Sequence, residues 1–267
     1  MKKIKIDAYP LLEKIRKEKP VVHHLTNWVT IYDCANIVKV LGGSPVMAHA
    51  KEEVAQMAGL ASSLVLNIGT LTPELIEAMK IAASAANKKG IPVILDACGA
   101  GATSFRDKKS FELLDEAKID IIKGNASEIA RISGEGIRTK GVDAGRVNKD
   151  LVQLAKKLAL QRKCAVVVTG KEDIVVSENN LYLVKNGHPM MADVVGTGCM
   201  AASVIGAFAA VENDLTLAAA AGLVCFEIAA ECAAKKSLGP ASFKEKLFDC
   251  LYSLDRKTIN RLQKVEG

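Results

Sequence analysis

The sequence predicts an α/β three-layer sandwich, a mostly parallel central sheet covered on both faces by helices. Three observations carry this expectation. Strand-like and helix-like stretches alternate along most of the 267 residues. Apolar residues make up 49% of the chain but aromatics only 4%, with Trp28 as the single tryptophan. The apolar bulk is therefore Ala, Val, Ile and Leu, which suits a buried parallel sheet under Ala-rich helices. Finally, no Pro- or Ser-rich linker, internal repeat or low-complexity segment interrupts the chain, so one domain over residues 1–267 is expected.

The elements follow in order. Ala8 to Glu18 has helical spacing, and Pro20 to Thr26 reads as a short strand. Tyr32 to Leu41 is helical and stops at Gly42-Gly43. Ser44 to His49 reads as a short strand, Glu52 to Ala61 as a helix and Ser62 to Gly69 as an apolar strand. Thr72-Pro73-Glu74 supplies a cap, a proline at the first helical position and an acid in the first turn, opening a helix that runs to Lys89 and ends at Gly90. Ile91 to Ala97 is the clearest strand, and a helix is expected around Phe111 to Ala117. Asp120 to Gly134 reads as strand, turn and helix, and Glu135 to Lys149, Gly-rich and charged, as a surface loop. Leu151 to Arg162 is helical, Cys164 to Gly170 is a strand, and two further strands form a hairpin around Glu178-Asn179-Asn180. From Gly198 to about Val265 the pattern is nearly all helix.

Composition excludes several classes. The chain is too apolar for disorder. The longest uncharged apolar run, Leu217 to Phe226, falls short of the roughly 18 residues of a spanning helix and reads as a buried one. Asp7 and Pro10 interrupt any apolar core of a secretory signal. The net charge of +6 is scattered, with no basic run interleaved with aromatics, so neither nucleic acid nor a membrane surface is an expected partner. Seven cysteines, Cys34, Cys98, Cys164, Cys199, Cys225, Cys232 and Cys250, include no CxxC pair, which is reduced, cytoplasmic usage.

Open α/β sheets bind ligands at the C-terminal ends of their strands. The polar residues there are Asn27, Met47 and His49, Asn67 and Gly69, Asp96 and Gly99, Lys123 to Glu128, and Thr169-Gly170. The most informative segment is Asp193 to Phe208, where a Gly-Thr-Gly turn meets an Ala-rich helix. Glycines let a ligand approach the backbone, and the first helical N–H groups form an anion site. Cys199 falls in the first helical turn, where the helix dipole favours the thiolate. The same segment also reads as a tight loop before a packing helix, with Cys199 a small core residue. No G-x-x-x-x-G-K-[ST] occurs, and Gly99 to Thr103 lacks the full dinucleotide fingerprint. His23 and His24, adjacent on a strand, point to opposite faces and do not readily share a metal.

In combination, VVHHLTNWVT, GGSPVMAHA, LVLNIGTL, VILDACGAGAT, IIKGNASEI, VVVTGKEDIV and VVGTGCMAAS resemble the hydroxyethylthiazole kinases, thiamine-salvage enzymes of the ribokinase-like superfamily. The pieces span about Val21 to Phe208, in family order. Cys in GTGC is distinctive, since most related kinases carry Asp there. The resemblance implies a ribokinase-like three-layer sandwich, a homotrimer with active sites between subunits, and Mg²⁺-dependent transfer of the ATP γ-phosphoryl group to the primary alcohol of 4-methyl-5-(2-hydroxyethyl)thiazole.

It also implies residue roles. The amides of Gly196, Thr197, Gly198 and Cys199 form an anion hole, with Cys199 as general base. Asp96 and Glu128 hold Mg²⁺, directly or through water. Lys123, Asn125 and Thr169 contact ATP, and Asn27, Met47 and Gly196 line the thiazole pocket. Packing, helix capping and strand-end capping are the ordinary roles of Cys199, Glu128 and Thr169. Lys123 stands where the family has Arg, keeping the charge but losing the bidentate fork. Two further departures are Ala97-Cys98, where the family reads Pro-Val, and Asp193, at a position often basic or neutral. The alternatives are a ribokinase-like kinase for another vitamin-type alcohol, hydroxymethylpyrimidine or pyridoxal, and a non-catalytic nucleotide-binding regulator.

Overall fold

The structure is a computed structural model that describes residues 2–134 and 149–267. Two-residue strands β1 (Lys3–Ile4) and β10 (Val265–Glu266) bracket the described elements. Between them run α1 (Ala8–Glu18), β2 (Val21–Leu25), α2 (Ile31–Leu41), β3 (Ser44–Val46), α3 (Val54–Leu60), β4 (Ser63–Asn67) and α4 (Pro73–Lys89). Next come β5 (Val93–Asp96), α5 (Ser104–Glu116), β6 (Ile121–Asn125), α6 (Ala126–Ile132), α7 (Lys149–Arg162) and β7 (Ala165–Thr169). The chain continues through β8 (Asp173–Val176), β9 (Leu181–Val184), a 3₁₀ turn at Pro189–Asp193, α8 (Thr197–Ala209), α9 (Leu215–Ala234), α10 (Pro240–Tyr252) and α11 (Arg256–Leu262).

Among the described residues, the ten strands join one sheet in the order β1-β10-β9-β8-β7-β6-β5-β4-β2-β3. From β3 to β7 neighbouring strands are parallel; β8, β9, β10 and β1 extend the sheet antiparallel. Strand side chains alternate between two cores. Val22, Val65, Ile94, Ile121 and Val167 face α1, α2 and α8 to α11, whereas Leu64, Leu66, Leu95, Ile122 and Val168 face α3 to α7. The expected three-layer sandwich is thus present.

Local chemistry places the helix ends. Thr72 accepts from the Leu75 N–H at the start of α4, and Gly90 closes that helix with φ 80°. The expected bounds of α1 and α4 agree with the structure. Helix α5 begins well before the expected Phe111, because Thr103 caps it through the Arg106 N–H. Its first turns carry charged residues, so no apolar stripe marked them. The expected loop Glu135 to Lys149 lies outside the described residues except for Lys149, which opens α7. Helix α9 is long and apolar enough by composition to cross a membrane, but it is mostly buried in the protein. It outruns the apolar run Leu217 to Phe226 because Glu227 and Glu231 lie within its length.

Candidate active site

The register of three parallel strands builds the floor of the site. Asn67 at the end of β4 lies beside Asp96 of β5, and Asp96 beside Lys123 of β6. Asp96 Oδ2 accepts from Asn67 Nδ2 at 2.6 Å and Oδ1 from Lys123 Nζ at 3.1 Å. Asp96 and Lys123 are both buried. Burial raises the Asp96 carboxyl to about 7, and the Lys123 charge opposes that rise. Burial also works against the Lys123 charge, but Asp96 outweighs it and the ammonium is held above its ordinary value. Each charge is uncompensated without the other.

The N-terminus of α8 sits over this floor. Gly196 precedes it with φ 96°, and a Cβ there would lie 2.6 Å from Thr30 Cγ2, so both backbone and space require glycine. The Thr197 hydroxyl donates to Met191 O at 2.9 Å, fixing the turn. A Cβ on Gly198 would lie 3.2 Å from Lys123 Nζ, which places the ammonium beside the exposed helix start. The Cys199 sulfur accepts from Asn27 Nδ2 and Asn67 Nδ2, both at 3.3 Å. Its pKa is lowered to about 5, chiefly by the Cys98 thiol; burial opposes this, and Thr30, Lys123 and Asn27 reinforce it. The Cys98 thiol is raised in turn. Elsewhere burial pushes Cys34 up to about 11 and Cys164 and Cys225 up to about 12. Cys199 therefore stands apart from these cysteines: its thiol is drawn down, towards the thiolate, by the donors around its sulfur.

The two asparagine amides are oriented by their neighbours. Asn27 Oδ1 accepts from Val29 N, Thr30 N and Thr30 Oγ1. Asn67 Oδ1 accepts from Asn27 Nδ2 and Gly69 N, both at 2.9 Å. With the oxygens occupied, both NH₂ groups turn to the sulfur.

Glu128 lies across the strand ends from Asp96. Its Oε1 accepts from Gly99 N at 2.8 Å and its Oε2 from Asn125 N at 2.7 Å, while Asn125 Oδ1 accepts from Glu128 N, a capping box at the start of α6. Asn125 is exposed, and Thr169 lies beside it in the β6–β7 register. Asp96 and Glu128 offer hard oxygen donors of the kind Mg²⁺ takes: each oxygen accepts one N–H and keeps a further lone pair. Among the described residues, no group of three or more His, Cys, Asp or Glu is arranged to hold a metal.

At the rim, Met47 is half-buried and its carbonyl hydrogen-bonds His49 Nδ1 at 2.8 Å. The His49 ring packs on Trp28, with centroids 4.8 Å apart. Asp193 is exposed in the turn ahead of Gly196. His23 hydrogen-bonds Ala48 O and His24 hydrogen-bonds Ser203 Oγ. Burial lowers both imidazoles, His24 to about 3, which favours their neutral forms. Two contributors had weak signals in the sequence. Asn67 stood among strand-end polar residues with no role of its own. Arg106, whose guanidinium donates to the carbonyls of Ile68, Gly69 and Cys98, was unmarked, because backbone carbonyls carry no residue-type signal.

The architecture places the chain in a class, the ribokinase-like α/β fold. A ribokinase-like superfamily protein from Enterococcus faecalis shares it, with a TM-score of 0.64 at 13% identity, covering 94% of this chain and 98% of that one. The chain belongs to the hydroxyethylthiazole kinase family, whose family model matches residues 12–257. It is 53% identical over 255 residues to a hydroxyethylthiazole kinase of Methanosarcina mazei, covering 96% of this chain and 98% of that relative. It is also similar to the solved structure of a hydroxyethylthiazole kinase from Pyrococcus horikoshii. That comparison gives a TM-score of 0.89 at 39% identity, covering 97% of this chain and 98% of that one.

Proposed function

We propose that this chain, acting as one kinase domain, transfers the γ-phosphoryl group of ATP to the primary alcohol of 4-methyl-5-(2-hydroxyethyl)thiazole. The single observation that carries the reading is the Cys199 sulfur at the α8 N-terminus, ringed by Asn27 and Asn67 and backed by the Asp96–Lys123 pair. Family membership supplies the substrate.

Phosphoryl transfer needs positioning and charge stabilisation more than covalent chemistry. In this reading the alcohol oxygen attacks the γ-phosphorus, its proton passes to Cys199 Sγ, and ADP leaves. The amides of Gly196, Thr197, Gly198 and Cys199 receive the charge developing on the moving group. Lys123, beside Gly198, adds a positive charge. Asn125 and Thr169, adjacent on β6 and β7, take the nucleotide. Asn27, Met47 and Gly196 take the thiazole. Asp96 and Glu128 hold Mg²⁺, which when bound neutralises phosphate charge. Trp28, Val29, Tyr32 and Val195 are exposed around the site, which supports a homotrimer with active sites completed between copies. A cytoplasmic setting accords with the free cysteines.

A coupled ADP-release assay tests the reading. Hydroxyethylthiazole should stimulate ADP release in the presence of Mg²⁺. Stimulation by hydroxymethylpyrimidine or pyridoxal instead, or by none of these alcohols, overturns it.

A further inference from the structure

We propose that Arg106 is a positioning residue whose guanidinium clasps the loops after β4 and β5, setting both the donors on the Cys199 sulfur and the Glu128 carboxylate. Arg106 lies in the first turn of α5, and its peptide group is anchored at both ends. Its N–H donates to Thr103 Oγ1 at 3.2 Å and its carbonyl accepts from Ser110 Oγ at 2.7 Å. The side chain then reaches three carbonyls. Arg106 Nη1 donates to Ile68 O at 2.8 Å and to Cys98 O at 3.3 Å, and Nη2 donates to Gly69 O at 2.7 Å. These carbonyls belong to two different loops, one after β4 and one after β5.

Each arm of the clasp leads into the site. On the β4 side, the Gly69 N–H donates to Asn67 Oδ1. That bond leaves Asn67 Nδ2 to donate to Asp96 and to the Cys199 sulfur. On the β5 side, the Gly99 N–H donates to Glu128 Oε1. Gly99 has φ 78°, and a Cβ there would lie 2.9 Å from Arg106 Nη1, so the guanidinium fills the space a side chain would take. A planar fork with five donors can span three carbonyls, and a lysine ammonium at that reach cannot.

The inference rests on the proposed kinase reading for its catalytic readout, but not for its structural one. A matched control exists in Arg16, which also donates to three carbonyls, those of Leu251, Tyr252 and Leu254, far from the site in the fold. The experiment compares Arg106→Ala, Arg106→Lys and Arg16→Ala in the full chain. Amide hydrogen exchange should accelerate in residues 67–70 and 97–101 in both Arg106 variants and stay at the wild-type rate there in Arg16→Ala. With hydroxyethylthiazole, kcat should fall roughly 10- to 100-fold in Arg106→Ala, with the KM values for ATP and alcohol moving only a few-fold. Added guanidinium chloride at millimolar concentration should restore part of kcat in Arg106→Ala and none in Arg16→Ala. Should Arg106→Ala fail to fold, Arg106→Lys carries the same exchange and kcat readouts. Unchanged exchange in the two loops, or a kcat loss no larger than that of Arg16→Ala, overturns the proposal. Absence of any alcohol-dependent turnover in the wild type fails the kinase reading alone, since the exchange measurement still decides the clasp.

Discussion

Asn67 Nδ2 lies 3.3 Å from Cys199 Sγ and 2.6 Å from Asp96 Oδ2, so one amide group serves both the sulfur and the buried carboxylate. Replacing Asn67 by Asp removes the donor and sets a third acidic group against those two. In a buried site, a lost donor to a reacting centre costs on the order of 100-fold in rate. Asn67→Asp is therefore expected to lose at least that much kcat, with Asn67→Ala less affected. Steady-state kinetics of the two variants check this order.

Cys199→Ala removes the proposed base but leaves the α8 amides and Lys123 in place. General-base catalysis contributes roughly 10²- to 10⁴-fold. The variant should lose kcat on that scale while ATP affinity, measured by calorimetry, stays near wild type. Full kcat in Cys199→Ala would remove Cys199 from the mechanism.

The pH dependence has a definite sign. The Cys199 thiol moves from its ordinary 9.0 to about 5, drawn down by Cys98 with burial opposing, and it is also faced by Asp96 and Lys123. A depressed pKa means the ionised thiol favours the folded state. This contribution is fully present above about pH 9, shrinks as pH falls through the window from 9 to 5, and is gone below it. The difference in Tm between wild type and Cys199→Ala should therefore shift towards the wild type as pH rises across that window. The wild-type kcat should fall on the acid side between about pH 7 and pH 5, as the buried Asp96 carboxyl and then the Cys199 thiol take up protons. A limb near pH 8 to 9 would show an unperturbed thiol.

Gly196→Ala meets two obstacles, the φ of 96° and a Cβ position 2.6 Å from Thr30 Cγ2. Positive φ costs a non-glycine residue about 1–3 kcal/mol. Thr30→Ser removes the methyl group, so Gly196→Ala in that background should recover part of the lost stability but not all of it. Denaturant unfolding of the single and double variants measures the split.

Legibility in the sequence followed locality. Helix α4 could be read end to end because Thr72, Pro73 and Gly90 each act within their own turn. The Gly-Thr-Gly turn, the strand-end acid Asp96 and the helix-start acid Glu128 were visible for the same reason. The start of α5 was hidden by its charged first turns, and β1 and β10 by having only two residues each. The Asp96–Lys123 ion pair depends on the register between two strands, which no single segment encodes. Cys98 stood out as a departure after the central strand, but its contact with Cys199 required the packing of α8 over β5. The Arg106 guanidinium speaks to backbone carbonyls and left no trace in residue type.

Both Glu128 oxygens accept backbone N–H groups, one from Gly99 and one from Asn125. An amide of the same shape cannot repeat this, since its NH₂ would face an N–H head-on. Glu128→Gln is therefore no silent probe of charge: removing the carboxylate also unpins the loop after β5 from the start of α6. Charge and scaffold at this corner are one design decision, and any variant that changes the first rewrites the second.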